Sequence, residues 1–407
     1  MRNLIFIITI LNQQLFFIGF SILGKNYGGI NEDMSYVLFC GITAALSILF
    51  IIYNIFILRH ITYNFNSVIF FLLPFFVSMI FVLENPYSEL AKRYFIFYLL
   101  WSLTSTYIGV VVADLKSIPS MAKWFEVIMI FLTIGVIVSF IIPFLRNTVL
   151  LSYAVNAYQA GSYISAFAYS LNLFFILFGY RYNLFSFHNY KIYKIAIYTF
   201  LPLQILAVLI SGGRGGFILI SISTIALLFL KQRDNQFGFM KPIIIIIILL
   251  LGIIYSLPSL MHEEMFKSGF ERVFSYITPH GIDFSQTSNR DVVYDNAIRL
   301  IGQKPLRGYG LFGYLDKMDY PHNVILEILL NGGILYLLFA IIIGLFFLRK
   351  LRVIIKLDPS NLLVLILFLF PLVMLMFSGT YITTSLFWFV LSYVFCYDKR
   401  TSILPKS

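Results

Sequence analysis

Charged residues are scarce in this chain of 407 residues. Asp, Glu, Lys and Arg together make up 12% of it, whereas 60% of the residues are apolar and the mean hydropathy is +0.90. Soluble domains typically contain about a quarter charged residues. The scarcity excludes an ordinary soluble domain, because this much apolar surface can be buried only if lipid is part of the solvent.

Polar interruptions of the apolar stretches are also few. Stretches long enough to cross a bilayer, about 20 residues each, are predicted near 4–23, 36–58, 66–83, 94–113, 125–144, 161–180, 195–210, 215–230, 242–258, 327–348, 360–377 and 380–397. They lack the apolar–polar alternation of barrel strands, so helices must satisfy the backbone. The sequence predicts an all-α polytopic membrane protein of about twelve transmembrane helices, forming a single integral membrane domain over residues 1–407.

Cysteine is nearly absent, and both copies, Cys40 and Cys396, fall inside predicted spans. This excludes a disulfide framework and a cysteine-based metal site. The first apolar stretch follows a single basic residue, Arg2, and has no small-residue cleavage pattern after it. We therefore interpret it as a retained span and not as a signal peptide.

Lys and Arg are distributed unevenly between the two sides of the predicted bundle. The termini and the loops on their side hold 17 of them, whereas the opposite short loops hold five: Lys25, Lys92, Arg93, Arg146 and Arg214. The positive-inside rule then places both termini in the cytoplasm. Because the basic residues are dispersed over short loops, the net charge of +11 indicates topology and not a nucleic-acid-binding face.

One long loop, residues 259–322, lies on the extracytoplasmic side between the ninth and tenth predicted spans. It contains seven basic residues, eight acidic residues and three of the five histidines. A loop of this length is usually functional or disordered. A capping box from Ser288 to Asp291 and apolar positions at Val293, Ala297 and Leu300 predict a helix over about 289–301. We therefore expect a loop that contains short helices.

Ionisable residues are almost missing from the predicted span interiors, which contain amides such as Gln204, with Glu126 and Glu327 at the edges. Ion-coupled transporters ordinarily place charged side chains near the bilayer midplane. A polysaccharide-lipid flippase or another transporter is therefore the less favoured class. We expect the chemistry at the extracytoplasmic face.

Two arginines in glycine-rich or helix-start contexts are candidate anion ligands. In Ser211–Gly216, glycines would let backbone N–H groups approach a ligand and Arg214 could bind phosphate oxygens bidentately; the alternative is a tight hairpin with Arg214 as an interface anchor. Arg290 opens the predicted loop helix, where the positive dipole end favours an anion. Asp295 and Arg299, four residues apart, are interpreted as a helix-stabilising pair.

The segment Pro305–Gly313 contains Arg307 and a literal G-x-G-x-x-G. It lacks the βαβ context of a dinucleotide fingerprint. We predict instead a loop shaped over a sugar or phosphate, with a compact surface turn as the alternative.

The last motif is Tyr320-Pro321-His322-Asn323, followed by Glu327 and two glycines. Proline at the first helical position would place His322 and Asn323 in the first turn, where the dipole favours the neutral imidazole that a general base requires. A cap or an interface residue is the alternative for His322. His262 and His280 have no comparable context, and His60 and His188 fall on the cytoplasmic side of the predicted bundle.

Together these motifs resemble the O-antigen polymerase and O-antigen ligase superfamily over roughly residues 200–345. The resemblance rests on the Gly/Arg turn, the Arg-led helix, Pro-Leu-Arg-Gly-Tyr-Gly, and Pro-His-Asn-x-x-x-Glu in this order. His322-Asn323, nine residues and then Gly333-Ile334-Leu335-Tyr336 is also similar to a signature of the family.

The resemblance implies a bacterial, multi-pass glycosyltransferase that acts outside the cytoplasmic membrane on glycans carried by undecaprenyl pyrophosphate. It implies His322 as the base, with Glu327 in reserve, and Arg214, Arg290, Arg307 and Asn323 as substrate ligands. The donor is lipid-linked, so no nucleotide sugar is needed and we expect no cofactor. The ligases of this family look metal-independent and the loop has no cluster with metal-ligand spacing, so we expect no metal.

A repeat-unit polymerase for O-antigen or capsule is favoured over a ligase that transfers glycan to lipid A-core. Its expected partners are the lipid-linked oligosaccharide, membrane lipid, a flippase and a chain-length regulator, with no nucleic acid.

Overall fold

A computed structural model describes residues 1–23, 34–57, 65–146, 158–179, 184, 190–233 and 290–398, with isolated residues at 267, 270, 271, 277, 278, 281 and 282. Regular structure in these residues is helical apart from a two-residue antiparallel pair, Ile277–Thr278 with Gly281–Ile282. The predicted all-helical membrane class is confirmed.

The helices are named here in chain order. They are α1 Arg2–Ile10, α2 Asn12–Ile22, α3 Met34–Ile52, α4 Phe65–Glu84, α5 Glu89–Phe97, α6 Thr104–Asp114, α7 Ile118–Val136, α8 Ile142–Leu145, α9 Tyr158–Phe174, α10 Lys191–Ser211, α11 Arg214–Arg233, α12 Arg290–Gln303, α13 Val324–Leu357, α14 Leu362–Phe377 and α15 Ser385–Cys396. Short π-helical turns extend or join several of them at Tyr53–Ile57, Tyr98–Leu103, Ile137–Ile141 and Phe175–Gly179.

Nine helical stretches among the described residues are long and apolar enough to cross a membrane: Met34–Phe56, Phe65–Glu84, Glu89–Asp114, Ile118–Leu145, Gln159–Gly179, Lys191–Ser211, Arg214–Gln232, Val324–Leu357 and Pro359–Phe377. Counting the broken pair α1 and α2 as one span gives ten. The predicted stretch 242–258 lies outside the described residues, and α15, at 12 residues, is shorter than a span. The count of twelve stays a prediction.

The chain divides into two compact units, and the first comprises residues 1–11, 38–118 and 285–407. Within it α6 packs directly on α15, because Gly109 has no side chain: a Cβ there would lie 2.5 Å from the Phe389 carbonyl oxygen. Small residues at such crossings allow helix backbones to approach in lipid. The prediction of one membrane domain over 1–407 stays a prediction. Of the loop 259–322, the part before residue 290 lies outside the described residues except for isolated positions.

The second unit comprises residues 12–37 and 119–284. Its centre is α9, which is almost wholly buried. Amides connect three helices there: Asn172 donates to Gln204 at 3.2 Å, and Gln204 donates to Thr133 at 2.7 Å. Interhelical hydrogen bonds of this kind stabilise packing where water is absent.

Candidate functional site

The backbone of the Pro305–Gly313 segment forms a ladder of hydrogen bonds with the residues around a break in α13. The helix is interrupted at Gly333, whose φ is 63° and ψ −160°. The Leu330 carbonyl accepts from Tyr309 N at 2.7 Å, Asn331 O accepts from Gly310 N at 2.8 Å, and Ile334 N donates to Pro305 O at 2.8 Å. The loop therefore replaces the hydrogen bonds that the break removes from the helix, and two motifs of the sequence form one structure.

Glycine is required on both sides of this ladder. Gly308 and Gly333 both have positive φ, which L side chains rarely adopt. A Cβ on Gly308 would lie 2.5 Å from Leu330 O, and one on Gly333 would lie 2.5 Å from Pro305 O. The two backbones are thus close enough to bond only because neither residue has a side chain.

The next three N–H groups of the loop hold a carboxylate of the protein itself. Glu84, the last residue of α4, accepts from Leu311 N at 2.7 Å, Phe312 N at 2.8 Å and Gly313 N at 3.1 Å. The prediction that this loop is shaped over a sugar or phosphate is therefore wrong for its backbone donors, because protein acceptors already occupy them.

A second carboxylate, this time from the loop, accepts from the turn between α4 and α5. Asp316 accepts from Ser88 N at 2.8 Å and from Tyr87 N at 3.4 Å, just before α5. The turn between α4 and α5 and the loop after Gly310 thus each donate backbone N–H groups to the other. Among the described residues no group of three or more His, Cys, Asp or Glu side chains converges to hold a metal ion.

Replacing Glu84 by glutamine is expected to lower the stability of the detergent-solubilised protein by about 2 kcal/mol, because charge-assisted hydrogen bonds contribute more than neutral ones. Glu89→Gln is the matched control: that side chain is 84% exposed in its ion pair with Lys92, and such surface pairs contribute little. Thermal unfolding of both variants measures the difference. Equal unfolding temperatures for the two variants would contradict the role of Glu84.

The start of α13 differs from the sequence-based prediction. The helix begins at Val324, and the Asn323 side chain caps it by accepting from Ile325 N at 3.0 Å and Leu326 N at 3.2 Å. Pro321 and His322 precede the helix, and His322 is left-handed with φ 53°. The placement of His322 in the first turn was wrong, because Asn323 is the better cap.

His322 is half-buried beside aromatic and charged neighbours. Its ring lies 4.3 Å from the Tyr320 ring, between centroids, and its Nδ1 is buried without a hydrogen-bond partner among the described residues. Burial lowers the pKa of His322 below its usual range, the nearby Arg290 guanidinium lowers it further, and Asp319 opposes them. The imidazole is therefore neutral at pH 7 and can accept a proton.

Glu327 is fully enclosed. It is 1% exposed and accepts from Tyr314 Oη at 3.2 Å, from Thr380 Oγ1, and from Tyr381 N at 3.4 Å. Burial, with the nearby Glu327 carboxylate, raises the pKa of Tyr314 well above its usual range, so this phenol remains a donor. Glu327 thus joins α13 to the loop before it and to the turn before α15.

Arg290 is the first residue of α12, Arg290–Gln303, which agrees with the helix predicted over about 289–301. The predicted cap, Ser288, lies outside the described residues. The side chains of Arg290 and of the exposed Arg307 make no hydrogen bond with any residue that the structure describes. Asp295 and Arg299 are not an ion pair in α12, where Arg299 instead donates to Asn296 at 3.4 Å. The predicted helix-stabilising pair is therefore wrong.

Arg214 lies in the second unit, at the first position of α11. Gly212 ends α10 in the left-handed conformation. Gly213 and Gly216 pack on α9: a Cβ on Gly213 would lie 2.5 Å from Ser162 Oγ, which itself donates to Gly213 O at 2.8 Å. These glycines permit close helix packing, and the hairpin interpretation describes them better than the approach of a ligand.

Several residues of the site were missed by the sequence analysis: Glu84, Tyr314, Asn331, Thr380 and Tyr381. Glu84 carried a usable signal, because an acid at the end of an apolar run needs a partner. The hydroxyl and amide groups carried none, since such residues are common throughout the chain.

A model of the O-antigen ligase family matches residues 199–341, about a third of the chain. No curated protein and no solved structure gives a match. The family match confirms the resemblance to the O-antigen ligase and polymerase superfamily over these residues; the members of this family are glycan-transferring membrane enzymes. The matched segment includes Arg214, Arg290, Arg307, His322 and Glu327, whereas Glu84 lies outside it.

Proposed function

We propose that this protein is a repeat-unit polymerase that transfers glycan from undecaprenyl pyrophosphate to a lipid-linked acceptor at the extracytoplasmic face of a bacterial cytoplasmic membrane. The observation that carries the proposal is the half-buried His322 just before α13, whose buried Nδ1 has no hydrogen-bond partner among the described residues and whose pKa is lowered by burial and by the nearby charge of Arg290. A base and a cation at one place are what attack on an anomeric carbon next to a pyrophosphate requires.

In this reaction the acceptor hydroxyl gives its proton to His322 while its oxygen bonds to the anomeric carbon. The bond from that carbon to the pyrophosphate oxygen breaks, and the departing charge is neutralised by Arg290, with Arg307 as a further phosphate ligand. Arg214, at the start of α11 in the second unit, stays a sequence-based candidate for phosphate binding. Glu327, which is buried and bonded on both oxygens, positions the loop and does not act as the base. We assign Asn323 to capping α13.

The proposal includes twelve transmembrane helices, cytoplasmic termini and an extracytoplasmic loop over 259–322, supported by the uneven distribution of Lys and Arg. A flippase that supplies the lipid-linked unit and a chain-length regulator are its proposed partners.

A ligase that transfers finished glycan to lipid A-core is the second candidate. It is favoured by the description of the matching family, O-antigen ligase. The two activities share the donor and the base, and they differ in the acceptor.

Arg290→Lys and Arg307→Lys should each lose most of the activity, because a point charge does not replace the bidentate guanidinium. Arg299→Lys is the matched control: Arg299 is exposed on α12 and should tolerate the change. Length analysis of the surface glycan, at equal protein levels, measures all three variants. Full-length glycan from both test variants would contradict their role in binding pyrophosphate.

The acid limb of kcat/KM should lie below pH 6.5, the ordinary pKa of histidine, because the pKa of His322 is lowered in the folded protein. Asp319→Asn removes the charge that raises this pKa and should move the limb to lower pH, whereas Arg290→Gln should move it to higher pH. A variant with low activity can still be measured, because the position of the limb on the pH axis reports the pKa of the free enzyme and does not depend on the maximal rate. Shifts in the same direction for both variants would exclude His322 as the titrating group.

A further inference from the structure

A cavity of about 330 Å³ lies in the first unit, beside the break in α13. Its walls combine aliphatic side chains of α4 with the aromatic rings of Tyr98, Tyr336 and Trp388. Phe339, also in the wall, is 56% exposed, so the cavity reaches the surface of the protein. Its volume is at the small end of the range for ligand pockets, about 300–1,000 Å³.

The wall of this cavity also contains Glu84, whose carboxylate already accepts from the loop, and an amide with an unused acceptor. Asn331 is 3% exposed and lines the cavity. Its Nδ2 donates to Tyr381 Oη at 2.5 Å, whereas its Oδ1 is buried without a hydrogen-bond partner among the described residues. A buried acceptor without a donor is rare, since each costs free energy, and it requires an explanation.

The cavity is connected to the candidate active site through one residue. Tyr381 lines the cavity with its hydroxyl, which lies 3.4 Å from Tyr336 Oη, while its backbone N–H donates to Glu327 at 3.4 Å. Glu327 and Asn331 are one helical turn apart on α13, so Tyr381 contacts both. A ligand in the cavity would therefore be positioned by the same turn that Glu327 fixes.

We propose that this cavity is a binding subsite for one sugar ring of the lipid-linked glycan, with a ring hydroxyl donating to Asn331 Oδ1. The inference deepens the proposed function and rests on it. Sugar rings have an apolar C–H face that packs on aromatic side chains and hydroxyls at the rim that donate hydrogen bonds, which matches walls of Tyr98, Tyr336 and Trp388 around one free acceptor.

The free acceptor atom, Asn331 Oδ1, favours a sugar over a hydrocarbon as the occupant of the cavity. An isoprenoid chain would fill the apolar part of the cavity, but it has no donor for Asn331 Oδ1 and would leave that oxygen unsatisfied. A sugar hydroxyl satisfies the amide and can also reach Tyr336 Oη. The size of the cavity also matches a single ring better than an extended chain.

Binding is measured without turnover from the fluorescence of Trp388, in a Trp101→Phe, Trp124→Phe background of the full-length protein. The probe is the repeat-unit oligosaccharide released by mild acid from the lipid-linked intermediate of the same cells. We expect a saturable change in emission. Asn331→Leu should weaken the binding roughly tenfold, the effect of one typical hydrogen bond. No saturable change, or a change produced by a short polyprenyl phosphate instead, would overturn the proposal.

Tyr336→Phe and its matched control Tyr107→Phe each remove one hydroxyl from a partly buried tyrosine in a span. Tyr107 donates to Phe71 O at 3.1 Å, away from the cavity. In transfer assays Tyr336→Phe should raise the donor concentration that gives half-maximal rate by several-fold, with little change in maximal rate, while Tyr107→Phe should have no effect.

The subsite and the proposed function fail in different ways. Transfer with normal half-saturation in both Asn331→Leu and Tyr336→Phe would overturn the subsite and leave the transferase. Saturable oligosaccharide binding that is weakened by Asn331→Leu, in a protein without transfer activity, would support the subsite while it overturned the proposed function.

Discussion

His322→Asn should leave cells with single repeat units on their surface lipid in place of a ladder of long chains. Removal of a general base typically slows a reaction about 10²- to 10⁴-fold, which is enough to stop the addition of successive units. Asparagine is the chosen substitution because it accepts the left-handed conformation observed at this position, φ 53°. The fold is therefore retained while the imidazole is lost.

The control for this variant is Lys116→Asn, which places asparagine at another left-handed position, φ 48°, and should leave the glycan unchanged. A ladder of normal length in His322→Asn would refute the histidine as base. Full-length glycan that remains on undecaprenyl pyrophosphate, with bare lipopolysaccharide core, would instead assign the protein as the ligase.

Gly333→Ala should separate the Pro305–Gly313 loop from α13 and destabilise the protein by about 3 kcal/mol or more. Positive φ costs an alanine about 1–3 kcal/mol, and overpacking against Pro305 and Leu306 adds a similar amount. The new methyl group would approach backbone atoms, which cannot rotate away. Loss of the ladder would also move the loop that precedes His322, so activity should fall with stability.

Gly344→Ala is the control in the same helix, because a Cβ there meets nothing within 4 Å. It should be neutral or slightly stabilising, since alanine favours the helix. Thermal unfolding in detergent compares the two variants. A Gly333→Ala protein as stable as Gly344→Ala would mean that the break in α13 is not required.

Helix positions were largely predictable from the sequence, because a span is a local property of about 20 consecutive residues. The same holds for α12, where the periodic Ala297 and Leu300 are buried as expected. The start of α13 was missed by a few residues, because Pro321 and Asn323 are both plausible start signals and the choice depends on which side chain reaches the free N–H groups.

The interior of the candidate site could not be predicted in the same way. The hydrogen bond between Glu84 and Leu311 joins residues 227 apart in sequence, and a single sequence contains no local pattern for such a pair. The glycines could be recognised in the sequence, but not what they approach. Glycine allows close approach of a ligand or of another backbone equally well. Here Gly308 and Gly333 approach protein backbone.

The contact between Glu84 and the loop also sets an order of events during synthesis. The last residue of α4 is made 227 residues before its partner Leu311. At a synthesis rate of about 5–20 residues per second, roughly 10 to 45 seconds pass before the N–H groups that bind its carboxylate are made. During this interval the turn between α4 and α5 lacks the hydrogen-bond partners that hold it in the folded protein. Chains truncated before residue 311 should therefore be preferred targets of membrane proteases at this turn.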